Sequence, residues 1–305
     1  MTNKYKKMKK IGILFLFLAP YFTLLFIFKI LPIFANFYYS FREIEVQTAG
    51  TFIGLENYRN LLEDPLFYKV LKNTFTYLLY VGPVNIIGGF LLALLLNQKL
   101  KGTTFARAVI FVPYILMTTL VGITFRYILD GNNGIFNHYL SLFGIEPVFW
   151  LTKTSTAMMG IALASIWWTI GYNTVIYLAA LQDVPRDLLE AASIDGASRL
   201  QRLVKIVIPY VKNTTFFVVL TTVIYSMQVF GQVYVMTSGG PNYSTLTFVQ
   251  YLYIKAFREF KLGYAAAIGV VLFLVILLMS AVIYWMFLDR EEMKIRRPGR
   301  KRHEK

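Results

Sequence analysis

The sequence is poor in the residues that form disulfides, hold metals and face water. None of its 305 residues is cysteine, which excludes disulfides and thiolate metal sites. Only His138 and His303 carry an imidazole, so a structural zinc site is not expected. Charged residues make up 15% of the chain, against about 25% in soluble proteins. The sequence has no G-x-x-x-x-G-K-[ST] run, so we do not expect it to bind ATP through a Walker A loop.

Apolar residues are correspondingly abundant, at 57% of the chain, and 17% of the residues are aromatic. A chain of this size cannot bury such an excess in a water-soluble particle, and lipid is the natural solvent for the remainder. The formal net charge of +15 would suit a polyanion, but the basic residues gather in particular loops and at both termini. That distribution is typical of membrane orientation. We therefore expect membrane lipid, and no nucleic acid, among the partners.

Six segments are long and apolar enough to cross a membrane, which takes about 20 residues. The first can extend to about Phe34 and the third to Leu129, while turn-forming residues 237–242 end the fifth near Met236. Pro113, inside the third segment, predicts a kink packed against neighbouring helices. The expected fold is an all-α integral membrane protein with six transmembrane helices. These are Ile11–Phe28, Asn73–Gln98, Ala108–Phe125, Thr154–Gln182, Asn213–Met236 and Leu262–Leu288.

The distribution of Lys and Arg predicts the orientation. With the N-terminus in the cytoplasm, most loop and tail Lys and Arg residues fall on the cytoplasmic side, so both termini are expected there. A cleaved signal peptide is an alternative interpretation of the first segment, but its apolar run is too long and no small-x-small site follows. The chain then divides into a tail, first helix and outer loop (1–72), a five-helix core (73–288) and a basic cytoplasmic tail (289–305).

The loop between the fourth and fifth spans, residues 183–212, is patterned although it is too polar to span a membrane. Pro185 suits the first turn of a helix, and Gly196 can take the left-handed conformation that ends one. A second helix is expected from about Ser198 to Pro209, which would stop it. The sequence thus predicts a cytoplasmic helix–turn–helix, with an ordinary connector as the alternative. The apolar side of its first helix would comprise Leu188, Leu189, Ala192 and Ile194.

This loop carries a recognisable motif. Residues 190–197 read E-A-A-S-I-D-G-A, and residues 206–209 read I-V-I-P. The run resembles the EAA motif of the permease subunits of binding-protein-dependent ABC importers, and differs only in Ile208, where leucine is usual. The resemblance implies that the loop forms coupling helices that seat in a cleft of the ATP-hydrolysing subunit. The residues expected to couple to that subunit are Glu190, Ala191, Ala192, Asp195, Gly196 and Pro209.

Other segments extend the resemblance over nearly the whole chain and point to the carbohydrate-uptake branch of these importers. They are Gly54–Tyr58, Thr237–Pro241, Tyr253–Phe257 and Gly263–Ala265. The resemblance implies a transport subunit of a bacterial plasma membrane that is not an enzyme and binds no cofactor itself. It further implies a heterodimer with a second permease, two ATP-binding cassette subunits that carry ATP and magnesium, and an extracytoplasmic solute-binding protein that delivers a sugar or oligosaccharide.

Uncharged polar and aromatic residues on the fourth and fifth spans are the candidates for substrate contact. As a set they suit a neutral polyhydroxylated ligand, although hydrogen bonding between helices would explain each one singly. In related sugar permeases the site lies on these two spans, and the resemblance carries it to Tyr172, Tyr225, Ser226 and Val229 in particular. The candidate set is Trp168, Tyr172, Asn173, Tyr225, Ser226, Gln228, Val229 and Gln232.

Three rival functions stay open on the sequence. A permease of the same architecture could carry another polar solute, such as a phosphorylated polyol or a short peptide, although an anion carrier should offer Arg or Lys within its spans. A stand-alone secondary carrier would need no ATPase subunits, and a membrane enzyme would need a catalytic constellation at a membrane face. Residues 245–261 read as an amphipathic helix, either resting at the lipid headgroups or serving as an outer docking surface.

Overall fold

The computed structural model describes residues 2–44, 50–98 and 101–288. The predicted basic tail, 289–305, lies outside these residues. The described chain is mostly helical. Its α-helices are α1 Thr2–Leu25, α2 Leu31–Ser40, α3 Glu56–Glu63, α4 Pro65–Pro83, α5 Gly89–Leu96, α6 Thr103–Ile115, α7 Thr118–Ile128, α8 Ile135–Leu142, α9 Ala157–Gln182, α10 Arg186–Ile194, α11 Arg199–Arg202, α12 Ile208–Tyr210, α13 Lys212–Met227, α14 Gly231–Met236, α15 Phe248–Tyr253 and α16 Leu262–Phe287.

Four π-helical turns and one small sheet complete the described structure. The turns, where one extra residue enters the helical ladder, are Phe26–Ile30, Val84–Gly88, Leu203–Val207 and Ile254–Arg258. The sheet pairs β1 (Arg42–Glu43) antiparallel with β2 (Thr51–Phe52), Arg42 facing Phe52 and Glu43 facing Thr51. Three of the π turns interrupt otherwise continuous runs, so α1–α2, α4–α5 and α11–α12 each read as one long helical segment.

Five helical segments of the described chain are long and apolar enough to cross a membrane, and a sixth is the bent pair α6–α7. This confirms the predicted number of spans when the pair is counted as one. The segments are Leu14–Ser40, Pro65–Leu96, Thr103–Ile115 with Thr118–Ile128, Ala157–Gln182, Lys212–Met236 and Leu262–Phe287. The fifth ends at Met236 as predicted. The first two are longer than the charge-free windows suggested, because Lys29, Lys69 and Lys72 are accommodated within the helices.

The expectations for the third span and for residues 245–261 were wrong. The third span is not one helix kinked at Pro113, because α6 and α7 meet at a 100° bend at Leu116 and Met117. The predicted helix over 245–261 begins only at Phe248, because residues 245–247 are buried and bonded elsewhere. Thr245 donates to the carbonyl of Gly240 and Thr247 to that of Val229, at 2.7 and 3.0 Å.

The described residues form two compact units, one within Met1–Pro65 and Leu252–Val271, the other within Leu66–Tyr251 and Leu272–Lys305. In the first unit, Asn57 holds the turn after the first span by donating to the carbonyls of Ser40 and Arg42, both at 2.9 Å. Gly263 passes so close to the Arg42 carbonyl that a side chain there would overlap it. The Tyr264 hydroxyl donates to Asp64 at 3.2 Å.

The second unit is organised around α9, which packs into two separate apolar cores. Met158, Ile161 and Ala164, near its start, belong to one core. Tyr177 and Leu181, near its end, belong to the other. The polar middle of α9 lies between them.

Hydroxyls within the spans are mostly bonded inside their own helix. Each donates to the carbonyl four residues earlier, which satisfies a polar group without a second helix. The donors and distances are Thr74 at 2.9 Å, Ser165 at 2.9 Å, Thr169 at 2.7 Å, Thr174 at 2.8 Å and Thr221 at 2.8 Å.

Candidate functional site

A cavity of ≈ 480 Å³ opens beside the polar middle of α9. It brings together all eight of the residues that the sequence proposed for substrate contact. The second, third, fourth and fifth spans all contribute to its wall. The lining residues are Tyr77, Val81, Asn85, Tyr114, Thr118, Trp168, Thr169, Tyr172, Asn173, Thr221, Thr222, Tyr225, Ser226, Gln228, Val229, Phe230, Gly231 and Gln232.

The α9 wall of the cavity presents two aromatic rings one turn apart, Trp168 and Tyr172. Residues four apart lie on the same face of a helix, so the two rings face the cavity together. The position of α9 relative to α6 is fixed next to these rings by Gly171. There α6 approaches so closely that a Cβ would overlap the carbonyl oxygen of Ile110. Glycine is the residue that this contact requires.

Tyr114 and Thr118, on either side of the break in the third span, also line the cavity. Leu116 and Met117 have extended backbones, with ψ of 146° and 136°, so the helical ladder stops there. The Trp168 indole N–H donates to the freed carbonyl of Leu116 at 3.1 Å. Trp168 therefore braces the break as well as lining the cavity.

Tyr114, just before the break, was missed by the sequence reasoning. Its ring stacks on Tyr172 at 4.7 Å between centroids and 21° between planes. It also stacks on Trp168 at 6.1 Å and 30°. The signal that could have found it is its place one residue after Pro113, since aromatic residues beside a broken helix are well placed to line a cavity.

The fifth span is also broken where it reaches the cavity. α13 ends at Met227 and α14 begins at Gly231, although the sequence predicted one continuous helix. Tyr225 and Gln228 are exposed there, and Tyr225 is 64% accessible. Ser226, Val229 and Gln232 are buried. Exposed and buried positions are therefore interspersed along this stretch, and both kinds line the cavity.

Two buried asparagines link the spans around the cavity. Asn85 donates to the Thr169 hydroxyl at 2.8 Å. Asn173 donates to the Thr222 hydroxyl at 3.2 Å and to the Asn85 carbonyl at 3.4 Å. Asn173 therefore makes hydrogen bonds between helices, which was the alternative to substrate contact in the sequence analysis. The side-chain oxygen of Asn85, by contrast, is buried and accepts no hydrogen bond from the described residues.

The second predicted set of residues lies in the segment from α10 to α12. Gly196 has φ of +80°, in the left-handed region, and the helix ends there in two bonds: Gly196 N–H to Ser193 and Ala197 N–H to Ala192. This is a Schellman ending. Ser198 and Gln201 then form a capping box at 3.2 and 2.7 Å, which begins α11.

The structure of this segment differs from the prediction in two respects: which apolar side chains are exposed, and where the second helix ends. Leu189 packs into the core and Ala192 is half-buried, but Leu188 and Ile194 point outward, Ile194 being 87% accessible. The predicted apolar side is therefore split between two faces. Pro209 does not stop the second helix but lies inside α12, after the π turn, and α12 ends at Tyr210 with Val211 as its C-cap. Glu190, Ala191, Asp195, Gly196 and Pro209 are all exposed.

No group of three or more His, Asp or Glu side chains in the described part of the chain could hold a metal ion. Residues 66–288 match the family described as the inner membrane component of binding-protein-dependent transport systems. The matched range is most of the chain and includes both the cavity and the α10–α12 segment. The chain belongs to this family. Its members are permease subunits and not enzymes, and several spans of this permease could cross a membrane.

Curated relatives support the same placement over almost their full lengths. The permease is 34% identical to the probable ABC transporter permease protein YurN of Bacillus subtilis, over 87% of this chain and 92% of that one. It is 35% identical to the arabinooligosaccharides transport system permease protein AraP of the same organism, over 88% and 86%.

A solved structure confirms the fold. The permease superposes with a TM-score of 0.80 on a chain of a bacterial ABC transporter involved in the import of the acidic polysaccharide alginate. The two chains are 24% identical, and the match covers 93% of this chain and 97% of that one. At this identity the likeness establishes the fold of an importer permease.

Proposed function

We propose that this permease forms half of the translocation pathway for a neutral sugar or oligosaccharide in an ATP-driven importer. The observation that carries the proposal is the chemistry of the ≈ 480 Å³ cavity. Among the described residues that line it, none is charged. Aromatic rings and amide or hydroxyl groups share the wall, and this pairing suits sugars, whose C–H faces stack on rings and whose hydroxyls bond to amides.

A named relative supports the same assignment. The name of the relative AraP, an arabinooligosaccharide permease, agrees with a saccharide substrate.

A permease for a phosphorylated solute is the second candidate. A phosphate would require Arg or Lys at the cavity, because a buried anion needs a paired or hydrogen-bonded cation. The lining offers only neutral donors. A secondary carrier driven by protons would use intramembrane carboxylates, and the cavity wall carries none.

The α10–α12 segment is the proposed contact with an ATP-hydrolysing subunit. Its exposed surface carries Glu190 and Asp195 beside the small Ala191, and these could bond to and closely approach a partner. Exposed apolar side chains at Leu188, Ile194 and Leu200 would be covered by such a partner. Leu189 and Val207 pack the segment against the core at the end of α9, so a movement of the segment can be transmitted to the spans.

The remaining parts of the assembly follow from this function. We propose a heterodimer with a second permease, two ATP-binding cassette subunits that hold ATP and magnesium, and an extracytoplasmic binding protein that delivers the sugar. The α10–α12 segment and both termini would be cytoplasmic in a bacterial plasma membrane, because most loop and tail Lys and Arg residues then lie inside. Residues 1–72, 73–288 and 289–305 remain the proposed division of the chain.

The substrate assignment is tested by uptake of labelled neutral oligosaccharides into vesicles that contain the complete importer. The panel would include arabinotriose, maltotriose and raffinose. Tyr172→Ala and Gln228→Ala should each lower apparent affinity about tenfold, for a lost stack or hydrogen bond of about 1–2 kcal/mol. Tyr127→Ala removes a tyrosine that is 75% accessible and outside the cavity, and should leave uptake unchanged. Wild-type uptake of phosphorylated sugars alone, or normal uptake by both cavity variants, would contradict the proposal.

The orientation is tested by cysteine labelling, which this cysteine-free chain permits without background. Single cysteines at the exposed positions Arg199 and Ser141 should react from opposite sides of sealed cells. Labelling of both by an impermeant reagent from outside would refute the proposed topology.

A further inference from the structure

Tyr114 occupies the aromatic platform that a sugar would use. Trp168 and Tyr172 stand one turn apart on α9, and the Tyr114 ring reaches across from α6 to stack on both, at 6.1 and 4.7 Å. A face of each ring is thus covered by a residue of the same chain. A pyranose or furanose that stacks on those faces must compete with Tyr114.

The backbone around Tyr114 is built so that this ring can leave. Upstream, Ile110 is held against Gly171 by a contact that admits no side chain. Pro113 then has no N–H, so the last turn of α6 lacks one bond of the helical ladder. Immediately downstream, Leu116 and Met117 are extended. Tyr114 therefore sits on a single turn between a fixed point and a break.

The second half of the broken span is held by a different element. Gly231, at the start of α14, approaches Thr118 so closely that a Cβ would overlap its methyl group. Gly122 likewise packs against Val235, where an added Cβ would lie 3.0 Å from the Val235 side chain. α6 is thus fixed to α9 and α7 to α14. The stretch between them, residues 114–117, contains no glycine contact of this kind, and its backbone is bonded to α9 through the Trp168 indole and the Leu116 carbonyl.

We propose that Tyr114 is a specificity-determining residue that covers the Trp168–Tyr172 platform when no sugar is bound, and that substrate binds by exchanging with its ring. The proposal rests on the sugar function inferred above. Tyr114 acts as an internal competitor, so it selects ligands that stack on both rings better than it does. A small ligand that covers only one ring would not displace it.

This role makes a prediction opposite to that for an ordinary contact residue. Removing Tyr172 deprives the sugar of a surface, whereas removing Tyr114 removes a competitor. Aromatic pairs are worth about 0.5–1.5 kcal/mol beyond their buried area, so loss of Tyr114 should tighten sugar binding roughly two- to tenfold. Discrimination between ligands that cover one ring and ligands that cover both should fall at the same time.

The first arm of the test needs no sugar. Trp150→Phe, Trp167→Phe and Trp285→Phe leave Trp168 as the only tryptophan of this chain. In that background, in lipid nanodiscs, acrylamide should quench Trp168 more strongly after Tyr114→Ala or Tyr114→Leu. Tyr114→Phe keeps the ring and should not change quenching, and neither should the exposed-site control Tyr127→Ala. Unchanged quenching in both the alanine and leucine variants would overturn the covering role.

The second arm measures binding to the nanodisc-held permease pair of whichever saccharide the vesicle assay found to be transported. Tyr114→Ala and Tyr114→Leu should bind it more tightly than wild type, Tyr172→Ala more weakly, and Tyr114→Phe about equally. Weaker binding in both Tyr114 variants would make it a direct contact and overturn the exchange. If wild type transports none of the neutral saccharides, the sugar function itself fails and the exchange with it, while the quenching arm still reports whether Tyr114 covers Trp168.

Discussion

The cavity and the α10–α12 segment are the two regions that matter most for transport, and they are built by opposite means. The cavity lies between two apolar cores, and its walls are fixed by contacts so close that only glycine fits. The α10–α12 segment is exposed along most of its length and is ordered by its own helix endings. The cavity depends on tertiary packing, whereas the segment depends on local hydrogen bonds and on a partner surface.

The two regions should therefore fail in different ways. Substitutions at the close helix contacts around the cavity, such as that of Gly171, should first affect folding and assembly, because neighbouring spans share these contacts. Substitutions on the outer face of the α10–α12 segment should leave the protein folded and assembled but weaken the coupling between transport and ATP hydrolysis. The following variants test that contrast, from the largest expected effect to the smallest.

Gly171→Ala should be the most damaging single change. An added methyl would overlap the Ile110 carbonyl, a backbone atom that cannot move aside, and the cost should be at or above the upper end of the usual 1–3 kcal/mol for overpacking. Membrane yield and thermal unfolding of the purified complex measure the effect. Gly82→Ala is the matched control, because its methyl would meet only the flexible end of Leu78 at 3.3 Å. Equal behaviour of the two variants would show that the close approach is not needed.

Gly196→Asp and Glu190→Lys should weaken coupling without preventing insertion. The first places a side chain at φ of +80° and adds bulk to the surface, and the second reverses the charge offered to the partner. Ligand-stimulated ATP hydrolysis should fall roughly 5- to 150-fold, the usual range of coupling energies between sites.

The control for the charge reversal is Glu146→Lys, at an exposed position away from this segment. It should assemble and hydrolyse ATP like wild type. Full stimulation by loaded binding protein in both Gly196→Asp and Glu190→Lys would mean that energy enters through some other surface.

Asn173 and Thr222 should be energetically coupled, because their bond joins the fourth and fifth spans beside the cavity. Interhelical hydrogen bonds in membranes are worth about 0.6 kcal/mol on average and up to about 1.7. A double-mutant cycle of Asn173→Ala and Thr222→Val, followed by thermal unfolding, should give a coupling energy in that range. Strict additivity would show that the bond between Asn173 and Thr222 does not stabilise the assembled spans.

Ser198→Ala should cause a smaller, local loss. It removes the acceptor that caps α11 and one half of the capping box with Gln201, at a cost of about 1 kcal/mol. Hydrogen exchange should become faster in α11 while α9 is unaffected. Ser193→Ala, inside α10, is the control and should leave exchange in α11 unchanged. Faster exchange throughout α9 would show that the two regions are not independent.

Sequence reasoning located the spans because lipid imposes a length and a composition that a hydropathy window can measure. It also located the end of α10, since Gly196 is a residue with a specific backbone role. It could not find the break at Leu116 and Met117. Both residues are apolar, so the window passes over them, and the direction of a helix leaves no trace in composition.

The candidate site shows the same limit. All eight predicted residues line one cavity, because polar and aromatic groups on neighbouring spans tend to converge. Tyr114 was missed because the resemblance pointed only to the fourth and fifth spans. The third span reaches the cavity because it bends, and the bend was not predicted. The use of Asn173 as a link between helices could not be read from the sequence either, since its partner Thr222 lies 49 residues away.

The hydroxyls bonded within their own helices have a consequence for how the protein is made. Hydroxyls such as those of Thr74 and Thr221 add no unpaired group when their helices enter the bilayer, because each already has its acceptor. Asn85 and Asn173 gain partners only when the second, fourth and fifth spans are side by side. Biosynthesis thus separates into two steps. Helices whose hydroxyls are already hydrogen-bonded insert first, and they then associate laterally. In the second step the Asn85 and Asn173 amides stabilise the correct pairing of spans.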